Sequence, residues 1–125
     1  MLDKFKAMGA LAGLMKNQEK LREAGQRVKE RMASTRCTGQ AGSGAARAVV
    51  TGKMEVIEIE LSPALAAGMA ADEKTRLLAG SLIAEAINDA LKQAQLKLGE
   101  ALKAESDALG LGDLGDVSAL SEFIR

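Results

Sequence analysis

The chain has 125 residues, the length of one domain, with 47% hydrophobic and 27% charged residues. This composition is typical of a folded protein and excludes general disorder. There is no His and only one Cys, Cys37, so one chain cannot form a Cys/His metal site, a His-activated nucleophile or an internal disulfide. Without Trp or Tyr, an aromatic-lined substrate pocket is also disfavoured. We therefore expect a non-enzymatic protein of a reducing cytoplasm, with no cofactor, metal or small-molecule substrate.

The net charge is zero, with 17 basic and 17 acidic residues, but the charge is unevenly distributed. Residues 1–36 carry a net charge of +5, residues 37–72 a net charge of −2 and residues 73–125 a net charge of −3. A basic N-terminal third on a neutral protein suggests an anionic partner.

The apolar run Ala7–Met15 follows Lys4 and Lys6, which resembles the start of a signal peptide. It is shorter than the ~18 apolar residues of a membrane span and continues directly into a charged stretch. We interpret it as the beginning of an amphipathic helix and expect no membrane partner.

Residues 2 to about 33 are predicted to form one long helix, because strong helix formers fill this stretch and no Pro interrupts it. At about 100° per residue, five apolar residues fall within an arc of about 100° and form a packing face: Leu11, Leu14, Leu21, Val28 and Met32.

Four basic residues form a second line on this helix, which we call the basic stripe: Lys16, Lys20, Arg27 and Arg31. They fall within about 60° of one another, and Arg22 and Lys29 form a smaller group. Such a line can follow the phosphates of a nucleic acid. The alternative is an ordinary solvated face, in which Glu23 and Arg27 pair along the helix.

The middle of the chain changes to glycines and β-branched residues. Residues 48–51 and 54–61 are predicted to form a hairpin around a two-residue turn, Gly52-Lys53. Glu58 and Glu60 alternate with apolar residues, which predicts a half-buried strand with one wet face. Residues 35–40 could add a third strand before a flexible stretch, 41–45. Gly42-Ser43-Gly44 lacks the context of a phosphate-binding loop.

Ser62-Pro63 predicts the start of a helical region. A short helix over 64–71 should precede a long helix over about 73–105, which Asp72 would cap. Its predicted packing face consists of Ile87, Leu91, Ala94, Leu98 and Ala101. We assign residues 1–105 to one helix–sheet–helix domain and residues 106–125 to an acidic, Gly-containing tail, expected to be mobile.

The predicted fold is therefore α+β: a long helix, a small antiparallel sheet of two or three strands, and a second long helix. At ~1.5 Å per residue each helix would be roughly 45 Å long, too long for a compact domain of this size. A sheet this small also exposes an edge. Both features favour a homodimer in which a second copy covers the exposed surfaces.

The order of these elements and their motifs resembles the YbaB/EbfC family of bacterial nucleoid-associated proteins over residues 5–105. The motifs that carry the resemblance are Thr38-Gly39, Gly42-Ser43-Gly44, Val49-Val50-Thr51-Gly52, Ile57-Glu58-Ile59, Ser62-Pro63 and Asn88-Asp89-Ala90. The resemblance implies a tweezer-like homodimer with the sheets joined at its centre. It also implies largely sequence-independent binding of double-stranded DNA in the nucleoid, with effects on nucleoid organisation and gene expression.

Under this interpretation the expected DNA contacts are Lys16, Lys20, Arg22, Arg27, Lys29 and Arg31, and the expected dimer interface consists of Val49, Val50, Ile57, Ile59 and Leu61. The DNA contacts are inferred from charge and helical phase. The alternative function is a protein-interaction adaptor or scaffold dimer, which the acidic C-terminal third favours. Pairing of the basic stripe with Glu85, Asp89 or Glu100 would support the adaptor.

Overall fold

A computed structural model describes residues 2–109 of the chain, and the side chains of residues 17–109. It confirms the predicted α+β order, with three strands in the sheet. The elements in chain order are α1 (Leu2–Ser34), β1 (Arg36–Ala41), β2 (Ala46–Thr51), β3 (Val56–Leu61), α2 (Pro63–Ala71) and α3 (Glu73–Ala108). Helix α3 ends three residues later than predicted, and residues 110–125 of the predicted tail lie outside the described residues.

The three strands form an antiparallel sheet in the order β1-β2-β3, so β2 is central. Strands β1 and β2 pair from Arg36↔Thr51 to Ala41↔Ala46. The stretch 41–45, predicted to be flexible, instead completes β1 and forms a tight turn in which the Ala45 amide donates to the Gly42 carbonyl. Gly42 and Gly44 adopt positive φ angles of 61° and 91°, which glycine permits without a steric penalty.

The connection between β2 and β3 is longer than the two-residue turn predicted from the sequence. Four residues, Gly52–Glu55, separate the strands, and β3 begins at Val56. The Thr51 amide donates to the Glu55 carbonyl, and the Met54 amide donates to the Thr51 carbonyl. A bulge between Val49 and Val50 shifts the register of β3. The prediction was wrong here because internal hydrogen bonds stabilise the longer loop.

The core of the unit formed by residues 31–100 lies between α3 and the first two strands. The sheet contributes Cys37, Ala41, Ala46, Ala48 and Val50, and α3 contributes Ala86, Ala90 and Ala94. The predicted face of α3 is therefore only partly correct. Ala94 and Ala101 are buried as predicted and Leu98 is partly buried. Ile87 and Leu91 flank an alanine line and are also only partly buried. Small side chains occupy the centre of the contact because the helix lies very close to the sheet.

Gly39 in β1 is the point of closest approach between α3 and the sheet. A Cβ atom built on Gly39 would overlap the Ala86 carbonyl oxygen and the Ala90 amide nitrogen, and it would lie 3.0 Å from the Ala90 Cα atom. These neighbours are backbone atoms of a long helix, so they cannot move aside independently. Hydrogen is therefore the only substituent that fits at this position.

Strand β3 was predicted to be half-buried, but its residues are exposed in the single chain except for partly buried Leu61. Ile59 pairs with buried Ala48 across the sheet, yet its side chain is 40% exposed, and Ile57 is 50% exposed. The buried cluster that packs on α3 draws its sheet residues from β1 and β2 only. The amphipathic pattern of β3 is correct and Leu61 packs against the core, but Val56, Ile57 and Ile59 each stay at least 40% exposed in the described chain.

The predicted start of α2 at Ser62-Pro63 and the predicted Asp72 cap of α3 are confirmed. The Ser62 hydroxyl accepts a hydrogen bond from the Leu65 amide, and Pro63 occupies the first turn of α2. The Asp72 carboxylate accepts hydrogen bonds from the Lys74 amide and the Thr75 hydroxyl at the start of α3.

The second unit of the chain includes residues 1–30 of α1 and the end of α3 from Ala101. Among its described side chains, Ala24 and Val28 of α1 are buried, as are Ala101 and Leu102 of α3. Val28 confirms part of the predicted packing face. The predicted Leu11 and Leu14 are within α1, but their side chains lie outside the described residues.

We predict that Gly39→Ala lowers the free energy of unfolding by at least about 2 kcal/mol, because the added methyl group forces α3 away from β1. Urea denaturation followed by circular dichroism measures the change. Gly80→Ala is the matched control, since a Cβ built at this α3 position has no atom within 4 Å apart from its chain neighbours and the backbone of its own helical turns. It should stabilise the protein by roughly 0.5–1 kcal/mol. Equal stability of Gly39→Ala and the natural protein would contradict the close approach.

Candidate nucleic-acid interface

The described part of α1 carries its basic residues on both flanks of its buried face. Ala24, Gly25 and Val28 are buried. With about 100° per residue, one flank carries the stripe residues Lys20, Arg27 and Arg31, and the other carries Arg22 and Lys29. The helix is continuous over this stretch, so the phase relation predicted from the sequence applies to the backbone of the structure.

Acidic residues occupy the side of α1 opposite the buried face. Glu19, Glu23 and Glu30 lie within about 40° of one another on this side, and all three are exposed. The outer ridge of α1 is therefore acidic, with cations on both sides of it. A polyanion that approached this ridge directly would meet carboxylates first. The flanks, and not the ridge, are the surfaces suited to phosphate binding.

Arg27 forms a bidentate ion pair with Glu105 of α3. The Arg27 Nη2 atom lies 2.8 Å from Glu105 Oε2, and Arg27 Nε lies 3.1 and 3.2 Å from the two carboxylate oxygens. Hydrogen bonding to Glu105 raises the pKa of the Arg27 guanidinium above its ordinary value; partial desolvation opposes this rise, and the charges of Glu105 and Glu23 support it. Arg27 is thus a cation with an internal partner.

The remaining predicted DNA contacts differ in accessibility. Lys20, Arg22 and Arg31 are exposed, and Lys29 is half-buried. Lys20 and Arg31 form no ion pair with a described residue, and neither they nor Arg27 pair with Glu85, Asp89 or Glu100. The backbone of Lys16 belongs to α1, but its side chain lies outside the described residues.

Two participants in this region were missed by sequence reasoning. Glu105 lies 78 positions from Arg27, and no local pattern predicts contact across that separation. Arg36, directly after α1, is exposed, and its guanidinium donates to the carbonyls of Ala33 and Thr35. The net positive charge of residues 1–36 was the signal that could have indicated Arg36, because Arg36 is the last basic residue of this segment and lies just after the end of α1.

The five residues predicted for a dimer interface occupy different environments. Val50 is completely buried in the core of its own chain, whereas Val49 and Leu61 are partly buried. Ile57 and Ile59 are exposed, and Val56 at the start of β3 is exposed beside them. An apolar surface on β3 is therefore accessible to a partner. Val50 is not accessible, because its side chain is buried in the core of its own chain.

The described residues contain no group of three metal-binding side chains and no helix able to cross a membrane. A shallow cleft of about 260 Å³ on α3 is lined by Glu85, Asn88, Asp89 and Lys92. These four side chains are polar or charged and come from one face of a single helix.

Comparison with known proteins identifies one family. The model of the YbaB/EbfC DNA-binding family matches residues 8–108. The nucleoid-associated protein Pfl01_1806 of Pseudomonas fluorescens (strain Pf0-1) is 33% identical over 95 residues, which cover 73% of this chain and 83% of the relative. The crystal structure of the uncharacterized protein HP0035 from Helicobacter pylori aligns with a TM-score of 0.47 at 16% identity, covering 73% of this chain and 92% of that one.

We predict that the Arg27 Nε proton exchanges with water more slowly than the corresponding proton of exposed Arg22, because Arg27 Nε donates to Glu105. Nitrogen–proton NMR of the arginine side chains measures both rates. Glu105→Gln should bring the Arg27 rate close to that of Arg22, since an amide accepts a hydrogen bond less strongly than a carboxylate. Equal rates in the natural protein would contradict the ion pair in solution.

Proposed function

Because the chain belongs to the YbaB/EbfC DNA-binding family, we propose that it is a nucleoid-associated protein that binds double-stranded DNA as a homodimer, through the basic flanks of α1. The observation that carries this proposal is the pair of exposed cations, Lys20 and Arg31, which have no ion-pair partner among the described residues. They lie on one flank of α1, as a row of phosphate contacts requires.

The proposed mechanism is contact with the phosphate backbone. Lys and Arg side chains neutralise phosphates without reading base sequence. The chain has no Trp or Tyr to stack on bases, so binding is expected to be largely independent of sequence. The acidic ridge of α1 directs the duplex to a flank of the helix. Because the whole chain has zero net charge, attraction at long range is weak and binding should fall steeply with salt.

Arg27 has a conditional role in this proposal. Its guanidinium already binds the Glu105 carboxylate, so a phosphate must compete with an internal anion for the same donors. Lys20 and Arg31 are not subject to this competition. We therefore assign them the first contacts with DNA, with Arg22 and Lys29 on the opposite flank and Lys16 further along the stripe.

The proposed homodimer is supported by the exposed apolar side chains of β3. Ile57 and Ile59 are half-exposed although they belong to a sheet with a well-packed core. A second copy that covered them would remove apolar area from water on both chains, which is the main driving force for association. Val49 and Leu61 would lie at the margin of this contact. Val50 would contribute indirectly, through the core on which the sheet packs.

The proposed cellular role follows from this chemistry. A non-enzymatic dimer that contacts phosphates without base recognition would act in the nucleoid of the cytoplasm, with effects on DNA organisation and gene expression.

A second candidate function is a protein-interaction adaptor. The observation that favours it is the exposure of two adjacent leucines near the start of α3, Leu77 and Leu78. Large apolar side chains on a surface are typical of contact sites for other proteins when they are grouped. The DNA-binding experiment distinguishes the two functions, because an adaptor would not bind a duplex.

We predict that the protein binds a short fluorescent DNA duplex in an anisotropy titration and that Lys20→Gln/Arg31→Gln weakens this binding. Each cation that neutralises a phosphate contributes roughly 0.9 to the steepness of log affinity against log salt. The plot for the double variant should therefore be less steep than that for the natural protein. The titration is run at several salt concentrations and with duplexes of unrelated sequence, which should bind with similar affinity.

The matched control is Lys53→Gln/Lys74→Gln, which removes the same charge at exposed positions outside α1. It should retain most of the affinity and the salt slope of the natural protein. Absence of binding at low salt, from a protein that is folded by circular dichroism, would contradict DNA binding and favour the adaptor. An equal decrease of affinity in both variants would contradict the assignment to α1.

We also predict that Ile57→Gln/Ile59→Gln weakens self-association by at least about 100-fold, because four apolar side chains per dimer are no longer available for burial. Sedimentation equilibrium measures the dissociation constant. Glu58→Gln/Glu60→Gln is the control on the same strand and should remain dimeric. An unchanged dissociation constant in the isoleucine variant would exclude this face of β3 from the interface.

A further inference from the structure

Two side chains of α3 bind the main chain of β1 along its outer edge. The Asp89 Oδ2 atom accepts a hydrogen bond from the Gln40 amide at 3.1 Å. Four residues further along α3, the Gln93 Nε2 atom donates to the Thr38 carbonyl oxygen at 2.7 Å. A carboxylate thus faces a main-chain donor, and an amide group faces a main-chain acceptor.

These contacts lie at the strand edge that β2 does not occupy. Residues two apart in a strand direct their main-chain groups to the same side, so Thr38 and Gln40 present their groups together. Gly39 between them permits the close approach of α3 at Ala86 and Ala90. The Gln40 amide and the Asp89 carboxylate that binds it are 49 positions apart in the sequence. The Thr38-Gly39 motif and the Asn88-Asp89-Ala90 motif are therefore in contact in the folded chain.

The opposite edge of the sheet has no such closure. Among the described residues, no side chain forms a hydrogen bond with the main chain of β3, and β3 is the terminal strand. Unpaired main-chain groups on an edge strand are a template on which a further strand can add. The sheet therefore has one edge occupied by side chains of α3 and one edge that is open.

We infer that Asp89 and Gln93 close β1 to strand addition, so that a second copy of the chain can associate only on the β3 side and assembly stops at two copies. The restriction to two copies rests on the proposed homodimer; the closure of β1 does not. An incoming strand would have to displace a hydrogen bond to a charged carboxylate, which is stronger than a neutral one.

The test compares the assembly state of Gln93→Glu with that of Gln95→Glu. A glutamate at 93 cannot donate to the Thr38 carbonyl, and its charge repels that oxygen, while its shape is nearly unchanged. Position 95 is exposed on the same helix and receives the same charge. Sedimentation velocity and light scattering over a range of concentrations should show about a twofold or larger rise in weight-average mass for Gln93→Glu only, as copies add through the opened edge.

A second pair of variants keeps the inference testable if Gln93→Glu does not fold. Asp89→Asn retains an acceptor for the Gln40 amide and should keep the mass of the natural protein, whereas Asp89→Ala should form larger species. In Asp89→Ala the Gln40 amide should also exchange with deuterium roughly five- to tenfold faster, because its acceptor is removed.

The closure of β1 would be overturned if folded Gln93→Glu or folded Asp89→Ala had the same weight-average mass as the natural protein. It would also be overturned if Gln93→Glu and Gln95→Glu both formed larger species. The natural protein is measured in the same runs. If it is monomeric, the homodimer fails, but the closure of β1 is still judged by the difference between the variants and the natural protein.

Discussion

The structure depends on one close contact, between the backbone of α3 and Gly39 of β1. Because Gly39 has no side chain, the helix lies almost against the strand, and only alanines fit in the line that faces the sheet. This proximity also brings Asp89 and Gln93 within hydrogen-bonding distance of the main chain of β1. Packing at one glycine therefore determines both the composition of the core and the state of one sheet edge.

The same contact explains why β3 is exposed. The helix covers β1 and β2, and the small core that results leaves Val56, Ile57 and Ile59 of β3 exposed, whereas Leu61 packs against its margin. A three-stranded sheet in a chain of this size buries little apolar surface by itself, and the proposed homodimer would bury more of it. In the proposed homodimer, the edge of β1 that α3 side chains occupy and the uncovered edge of β3 would give this association a direction.

The charges of α1 form a layered arrangement around the helix. Carboxylates occupy the outer ridge, cations occupy the flanks, and one of these cations, Arg27, is already bound by Glu105. In the proposed DNA-binding role, this arrangement limits the number of available phosphate contacts and makes affinity strongly dependent on salt. The protein would bind DNA reversibly, in keeping with an absence of net positive charge.

The sequence by itself determined the element order, the starts of α2 and α3 and the phase of the basic residues, because these depend on local spacing and backbone preference. Ser62, Pro63 and Asp72 have their effect within a few residues, and a continuous helix fixes where Lys20 and Arg31 lie. Only the tertiary structure decided that Arg27 pairs with Glu105, that alanines and not Ile87 or Leu91 form the centre of the α3 contact, and that β3 is uncovered. Each of these features depends on the distance between segments far apart in the chain, and that distance is set by packing at Gly39 and along α1, which no local pattern encodes.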